Sequence, residues 1–477
     1  MQHDFTPPID DLFAILGPKS LTTDRSDMEP WLTDWRGKYT GDAFAIASPT
    51  KAEQVQAIFR LAHEKGFVIV PQGGNTGMVA GATPITDRPA LLVSTRKMNR
   101  IREIAPEHHQ IVAEAGVILE HLHEEALKHG QRFPLTLGAK GSATVGGLIS
   151  TNAGGTQVLR HGPMRSLVLG IEAVLPDGGL YEGLATLKKD NRGYSLNHLL
   201  IGAEGTLGII TAATLKTVPA YTERHVAWAG TSSPQAALRA LRLLDDKLHG
   251  SLEGFEIMPA SAVRNVITHV PGTADPLSSP SPWNLLIEAI SLPDETGNIL
   301  EIFQTNLANL IDEGFLSDAA IAKNESEANL WWKMRDSISE SQRSLGPALQ
   351  HDISVPVERM PDFLTDDALA VAAEFPGLTM MGFGHLGDGN IHLHAQPPRD
   401  EADKGAAWLT KYGKAISHRV YEKVQLAGGS LSAEHGIGRD KRDVFQQLES
   451  SARLSALAAI KSALDPDAIS NPGTLLR

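Results

Sequence analysis

Between Met381 and His394 the chain reads Met-Gly-Phe-Gly-His-Leu-Gly-Asp-Gly-Asn-Ile-His-Leu-His, and few local structures accept that string. Glycines at 382, 384, 387 and 389 predict a bend, and Ile391-His392-Leu393-His394 then alternates with the period of a strand. His392 and His394 should share one face of that strand, with Ile391 and Leu393 on the other. His385 sits on the expected bend. A turn and a strand can bring two imidazoles to one divalent metal, although a glycine-rich hairpin with surface histidines would explain a single His pair equally well. Ser432-Ala433-Glu434-His435-Gly436 shifts the balance by adding a carboxylate and a further imidazole. Two His and one Glu with an open fourth position form the ligand set of a catalytic zinc site, so two of these histidines together with Glu434 are candidate ligands. His435 would then be free to move a proton. Gly382-x-Gly384-x-x-Gly387 also matches the dinucleotide fingerprint, but a strand rather than a helix is expected after it, which excludes a Rossmann phosphate loop.

A chain of 477 residues, 42% hydrophobic and 21% charged, should form two or three globular domains. Its net charge of −13 argues against nucleic-acid partners and anionic membrane surfaces. The absence of cysteine excludes disulfides, thiolate ligands and iron–sulfur clusters. It also fits a reducing cytosol. Met1 to Phe5 shows no export signal, and no apolar run is long enough to span a bilayer, so a cytoplasmic location is expected.

In chain order, residues 1–35 read as a helical lead-in, with Trp31 and Trp35 packing on the body. Strands are expected at Asp42–Ser48, Phe67–Val70, Leu91–Ser94, Gln110–Ala115 and Val168–Leu175. A helix is expected at Lys51–Lys65, with Thr50 as N-cap and Glu53 completing a capping box. A second helix, Leu119–His129, carries His121, His123 and His129, all expected on the surface. Three glycine-rich blocks punctuate this part: Pro71-Gln72-Gly73-Gly74-Asn75-Thr76-Gly77, then Pro134 to Gly155, then Gly202 to Ile210. Glycine lets the backbone approach an anion closely and present its N–H groups. One block is weak evidence; three separated by α/β elements suggest a large phosphate-bearing cofactor. No P-loop string occurs, which argues against an NTPase. Beyond residue 220, strands are expected at His225–Thr231, Leu252–Met258 and Asn284–Ile290. Helices are expected at Pro234–Leu248, Thr296–Glu313, Glu325–Arg343 and Ala402–Leu426.

The glycine blocks, His385 to His392, Ser432 to Gly438, Leu464-Asp465-Pro466 and Asn471-Pro472 together resemble the FAD-linked oxidoreductases of the vanillyl-alcohol oxidase / PCMH-type group. Within it, the similarity is greatest to the D-2-hydroxyglutarate and D-lactate dehydrogenases. The resemblance spans nearly the whole chain in the same order. It implies an α+β protein: a PCMH-type FAD-binding domain of two α/β subdomains (36–220), an α+β substrate cap with the metal hairpin (221–425), and a C-terminal segment (426–477) returning to the flavin domain.

It also implies roles. FAD would be held by Pro71 to Gly77; by Pro134, Leu137, Gly138, Gly141, Ser142, Thr144, Gly146, Gly147, Asn152, Ala153 and Gly154; by Glu204, Gly208 and Ile210; and by Asn471. Asn75 stands where many covalent relatives have a flavin-linking His, so FAD is expected without a covalent bond. Zinc on His385, His392 and Glu434 would bind the oxygens of a small D-2-hydroxy acid, and His435 matches the general base. Arg335 matches the substrate-carboxylate arginine, with Ser339 expected one turn later on the same face. Two positions depart from the pattern. Gln350 replaces a lysine suited to a distal carboxylate, and His394 replaces an Asn; His394 could be an extra ligand, a substrate contact or a surface residue, and the shared face with His392 favours substrate contact. A soluble acceptor such as an electron-transfer flavoprotein is the expected electron partner, and a homodimer the candidate assembly. A zinc hydrolase and a non-catalytic flavin-binding subunit are the competing classes. The glycine blocks argue against the first and the retained cap residues against the second.

Overall fold

The computed structural model describes residues 5–293, 298–398 and 405–477. The chain divides into two compact units. The first comprises Met1–Gly155, Gly162–Pro219 and Glu434–Arg477; the second comprises Thr156–His161 and Ala220–Ala433.

Among the described residues, the first unit holds a four-stranded sheet, a five-stranded sheet and a two-stranded pair. Strands β1 (Leu21–Thr22), β2 (Ala45–Ala47), β3 (Val68–Gln72) and β4 (Ala90–Ser94) form the first, in the order β1-β2-β4-β3. β2 and β3 both run parallel to β4. Parallel strands need a crossover, and the helix Ala52–Lys65 supplies it by burying Val55, Ile58, Phe59 and Ala62 at helical spacing. Gly66, left-handed at φ 77°, ends that helix. The expected capping box is absent: Lys51 is the N-cap residue and makes no side-chain cap bond. Instead the Gln54 side-chain oxygen accepts from the Thr50 N–H and hydroxyl, while its Nε2 donates to the Ile15 carbonyl.

The second sheet is antiparallel throughout. It comprises β5 (Ile101–Ala105), β6 (Gln110–Glu114), β8 (Val168–Val174), β9 (Leu180–Gly183) and β10 (Ile209–Lys216), in the order β5-β6-β10-β8-β9. Short strands β7 (Gln131–Arg132) and β11 (Val218–Pro219) pair beside it. The last segment of the chain completes the first sheet's edge: Ser470 bridges to Ile69 in parallel, and the Asn471 N–H donates to the Ile69 carbonyl at 2.8 Å.

Two expectations fail here. Trp31 packs against the cluster of Met28, Leu32 and Ala43, but Trp35 is 56% exposed. The Asp34 carboxylate accepts from the Arg36 and Tyr39 N–H groups, closing a turn that leaves Trp35 outside. His121 and His129 are exposed, but His123 is half-buried, with Nε2 2.9 Å from the Leu135 carbonyl and its ring against Phe133.

The second unit is built on one antiparallel sheet of seven strands. These are β12 (Glu223–Thr231), β13 (Leu252–Pro259), β14 (Trp283–Ser291), β15 (Asp318–Ile321), β16 (Leu349–Ser354), β17 (Thr379–His385) and β18 (Asn390–Gln396). Their order is β15-β12-β14-β13-β17-β18-β16. Val226, Trp228, Met258 and Phe383 pack there against Val263 and Val266 of helix Ala260–His269, which was not among the expected elements, and against Trp331 and Met334. The continuous helix expected over Glu325–Arg343 stops at Asp336. Ser337 bends away at ψ −6°, and a short helix, Ile338–Ser341, follows. That short helix is tied to its neighbour by a buried bond from Asn265 Nδ2 to Ser341 Oγ. The expected helix starts at Thr296 and Ala402, and the expected absence of an export signal at Met1–Asp4, lie outside the described residues; the helices are described over Ile299–Asp312 and Gly405–Leu426. Among the described residues no helix is long and apolar enough to cross a membrane.

Candidate active site

The functional face of the second unit is set by register. On β17, His385 lies opposite Glu256 of β13 on one side and Asn390 of β18 on the other. His392 lies opposite Phe383 and Asp352, and His394 opposite Met381 and Gln350. Cross-strand pairs point to the same side of a sheet, so Glu256, His385, His392, His394, Asp352 and Gln350 belong to one face. Gly382 and Gly384 lie inside β17 rather than on the bend, and His385 closes the strand. A Cβ on Gly384 would stand 2.2 Å from the Asn390 carbonyl oxygen, so β17 and β18 approach each other there as only glycine allows.

Among the described residues, one group of His, Asp and Glu side chains is arranged as metal ligands: His385, His392 and Glu434, whose ligand atoms lie within 4.8 Å of one another. The two imidazole rings are 5.5 Å apart, centre to centre. Glu434 follows Ala433, the last residue of the second unit, by one peptide bond. Two imidazoles and a carboxylate fit a divalent ion of the zinc type. His394 stands outside this group and is no surface residue: it is buried, its ring 5.4 Å from that of Phe383. Gln350 is exposed.

Arg335 lies in the last turn of helix Glu325–Asp336 and is buried. Its Nε donates to Glu256 Oε2 at 2.7 Å, and its guanidinium lies 5.6 Å from the Phe383 ring. Ser339 falls beyond the helix break and is exposed, so the continuous helical spacing that put it on the Arg335 face does not hold. Glu256 is the residue that sequence reasoning missed. It is wholly buried, and its other oxygen lies 2.5 Å from His385 Nδ1. Burial alone would raise the Glu256 pKa, but the charges of Arg335 and His385 hold it at about 2. Burial pulls His385 down, and the Glu256 carboxylate overrides it, raising the ring to about 9.

The glycine-rich blocks meet within the first unit. A Cβ on Gly73 would stand 2.3 Å from Thr144 Oγ1, and one on Gly74 would stand 2.0 Å from the Ser142 carbonyl oxygen. Gly146 is pressed on Ala115, and Gly205 on Pro71. Asn75, Asn152, Glu204 and Asn471 all adopt left-handed backbone conformations, which side chains other than Gly, Asn and Asp rarely take. Asn471 Nδ2 donates to the carbonyls of Gly81 and Glu204, tying the segment just after the first block to the third. Buried polar atoms of Gln72, Thr83, Thr144, Asn471 and Thr474 have no hydrogen-bond partner among the described residues. Side-chain-free backbone beside such atoms fits a polar, phosphate-bearing ligand.

The Glu204 carboxylate accepts from the Ile437 N–H at 2.8 Å and the Gly438 N–H at 2.7 Å, and so holds the loop that carries half-buried His435. Burial pushes its pKa up to about 7 against the pull of those two N–H groups.

Residues 221–475 match the FAD linked oxidases, C-terminal domain, and residues 43–183 match the FAD binding domain. The D-2-hydroxyglutarate dehydrogenase, mitochondrial, of Bos taurus is 36% identical over 470 residues, covering 98% of this chain and 83% of that protein. The corresponding protein of Arabidopsis thaliana is 35% identical over 463 residues, covering 97% and 80%. A structure of p-cresol methylhydroxylase with substrate bound shares the fold at TM-score 0.75 and 16% identity, covering 99% of this chain and 97% of its own. This chain belongs to the FAD-linked oxidase family.

Proposed function

We propose that the chain is a FAD- and zinc-dependent dehydrogenase that oxidises a D-2-hydroxy acid, in the first instance D-2-hydroxyglutarate, to the 2-oxo acid. The observation that carries the reading is the His385–His392–Glu434 group with Arg335 Nη2 3.4 Å from His385 Nε2. When bound, FAD accepts a hydride, and a divalent metal acidifies the hydroxyl it contacts. His385, His392 and Glu434 hold the metal, and the glycine blocks hold FAD, without a covalent bond because Asn75 offers no nucleophile. Arg335 binds the substrate carboxylate through its guanidinium fork. His435 takes the hydroxyl proton as the α-hydrogen departs with its electron pair. Electrons leave to a separate soluble acceptor of the electron-transfer flavoprotein kind. The names of both relatives support the five-carbon diacid and place those proteins in mitochondria; the cysteine-free composition supports a reducing compartment such as the cytosol.

A second substrate, D-lactate or another small D-2-hydroxy acid, is favoured by one position: Gln350 offers a neutral amide where a lysine would meet a distal carboxylate. An anaerobic panel of D- and L-2-hydroxy acids, read by bleaching of the flavin absorbance, tests both. Bleaching by D-2-hydroxyglutarate is expected, with D-lactate the main competitor. A flavin that no D-2-hydroxy acid reduces would end the proposal.

A further inference from the structure

Glu256 lies at the centre of the cap sheet, wholly buried, directly across from His385 in the β13–β17 ladder. Its two oxygens serve different partners. Oε1 faces His385 Nδ1 at 2.5 Å, and Oε2 accepts from Arg335 Nε at 2.7 Å. A carboxylate can only accept, so a His385 proton sits on Nδ1, which leaves Nε2 as the nitrogen that would bind a metal ion once its own proton is displaced. Taking a carboxylate out of water is costly, and apolar replacements of buried ion pairs are often as stable or more so. Stability alone therefore explains this residue poorly. Asp352, behind the other histidine, is a partial counterpart: its Oδ1 lies 3.9 Å from His392 Nδ1 and accepts from Asn390 Nδ2.

We propose that Glu256 is a positioning residue that fixes a metal-ligating histidine and the carboxylate-binding arginine in register with each other, so that one side chain governs both metal affinity and substrate affinity. The inference rests on the function proposed above. It predicts two separable effects from one substitution. Glu256→Gln keeps the size of the side chain, but an NH2 group, which cannot accept, then stands where one of the two carboxylate oxygens faces His385 or Arg335. Loss of a carboxylate behind a metal-bound histidine typically costs ~10–100-fold in metal affinity.

The test uses the purified, FAD-loaded protein and zinc itself as the probe. Competition against a chromophoric chelator, with no substrate present, should show Glu256→Gln binding zinc ~10–100-fold more weakly than wild type with flavin content unchanged. With zinc saturating, the KM for the D-2-hydroxy acid should rise, and that rise should vanish when Glu256→Gln is made in an Arg335→Ala background. Glu256→Asp keeps the charge but is one methylene shorter; its zinc affinity should fall between the two, and it replaces the glutamine variant as the readout if that one loses flavin. Zinc affinity and KM both unchanged in either variant would overturn the positioning role while leaving the proposed function intact. Wild-type protein that binds no zinc and is reduced by no D-2-hydroxy acid would overturn the proposed function itself.

Discussion

His435 and Glu434 are neighbours to which the proposed function assigns different tasks, and single substitutions separate them. His435→Ala should retain the metal and lose about 10²–10⁴-fold in kcat, the usual span for a general base. Metal analysis beside steady-state kinetics checks this, and loss of metal would mean the two roles are exchanged. At the distal end, the register of Gln350 against His394 puts both on the face that carries His392. A charge-assisted bond is roughly twice as strong as a neutral one. Gln350→Lys should therefore raise kcat/KM for D-2-hydroxyglutarate relative to D-lactate; an unchanged ratio would remove Gln350 from the substrate's tail. Glu204 gives a pH dependence of stability. Its folded pKa of about 7 lies above the ordinary carboxylate value. Its contribution is thus complete below the unfolded pKa and is lost as pH rises through about 7, by roughly 3 kcal/mol for a shift of this size. Denaturant midpoints should fall between pH 5 and pH 8 more steeply in wild type than in Glu204→Gln. Equal slopes would show that the carboxyl ionises normally.

At the scale of elements, the loop after β3 is the most demanding. A side chain on Gly74 meets the Ser142 carbonyl group, which belongs to backbone and cannot swing aside. Gly74→Ala should lower flavin content and the thermal midpoint together, measured by absorbance ratio and by melting of the purified protein. What the sequence made legible here was local. The alternation at Ile391–His394 appears as β18, with His392 and His394 on one face, because period two depends only on neighbouring residues. The crossover helix was legible from its apolar spacing, whereas its start was not: Thr50 and Gln54 reverse the expected cap. The break at Ser337 left no mark among residues that all tolerate a helix. Glu256 was invisible for another reason. Its meaning comes from a ladder that joins residues 129 positions apart, and nothing in Gly-Phe-Glu-Ile-Met announces that partner.

For the molecule as a whole, the cofactor's attachment is the simplest property to settle. Acid precipitation should release the yellow chromophore into the supernatant if FAD is held without a covalent bond, as proposed from Asn75; colour retained in the pellet would contradict it.

The discontinuity of the first unit has a temporal side. Asn471 closes the glycine loops by donating to the Gly81 carbonyl, 390 residues away, and Ser470 pairs with Ile69 at the sheet's edge. During synthesis the early strands therefore wait for a partner that emerges only after the entire second unit has been made. Contacts of such separation slow folding, and the waiting intermediate exposes strand edge and apolar surface. The second unit depends far less on distant chain, needing only Thr156–His161 from outside its main run. A nascent chain of this protein should thus acquire a protease-resistant second unit before its first is complete, and its yield in cells should be limited by how long the unfinished half escapes aggregation.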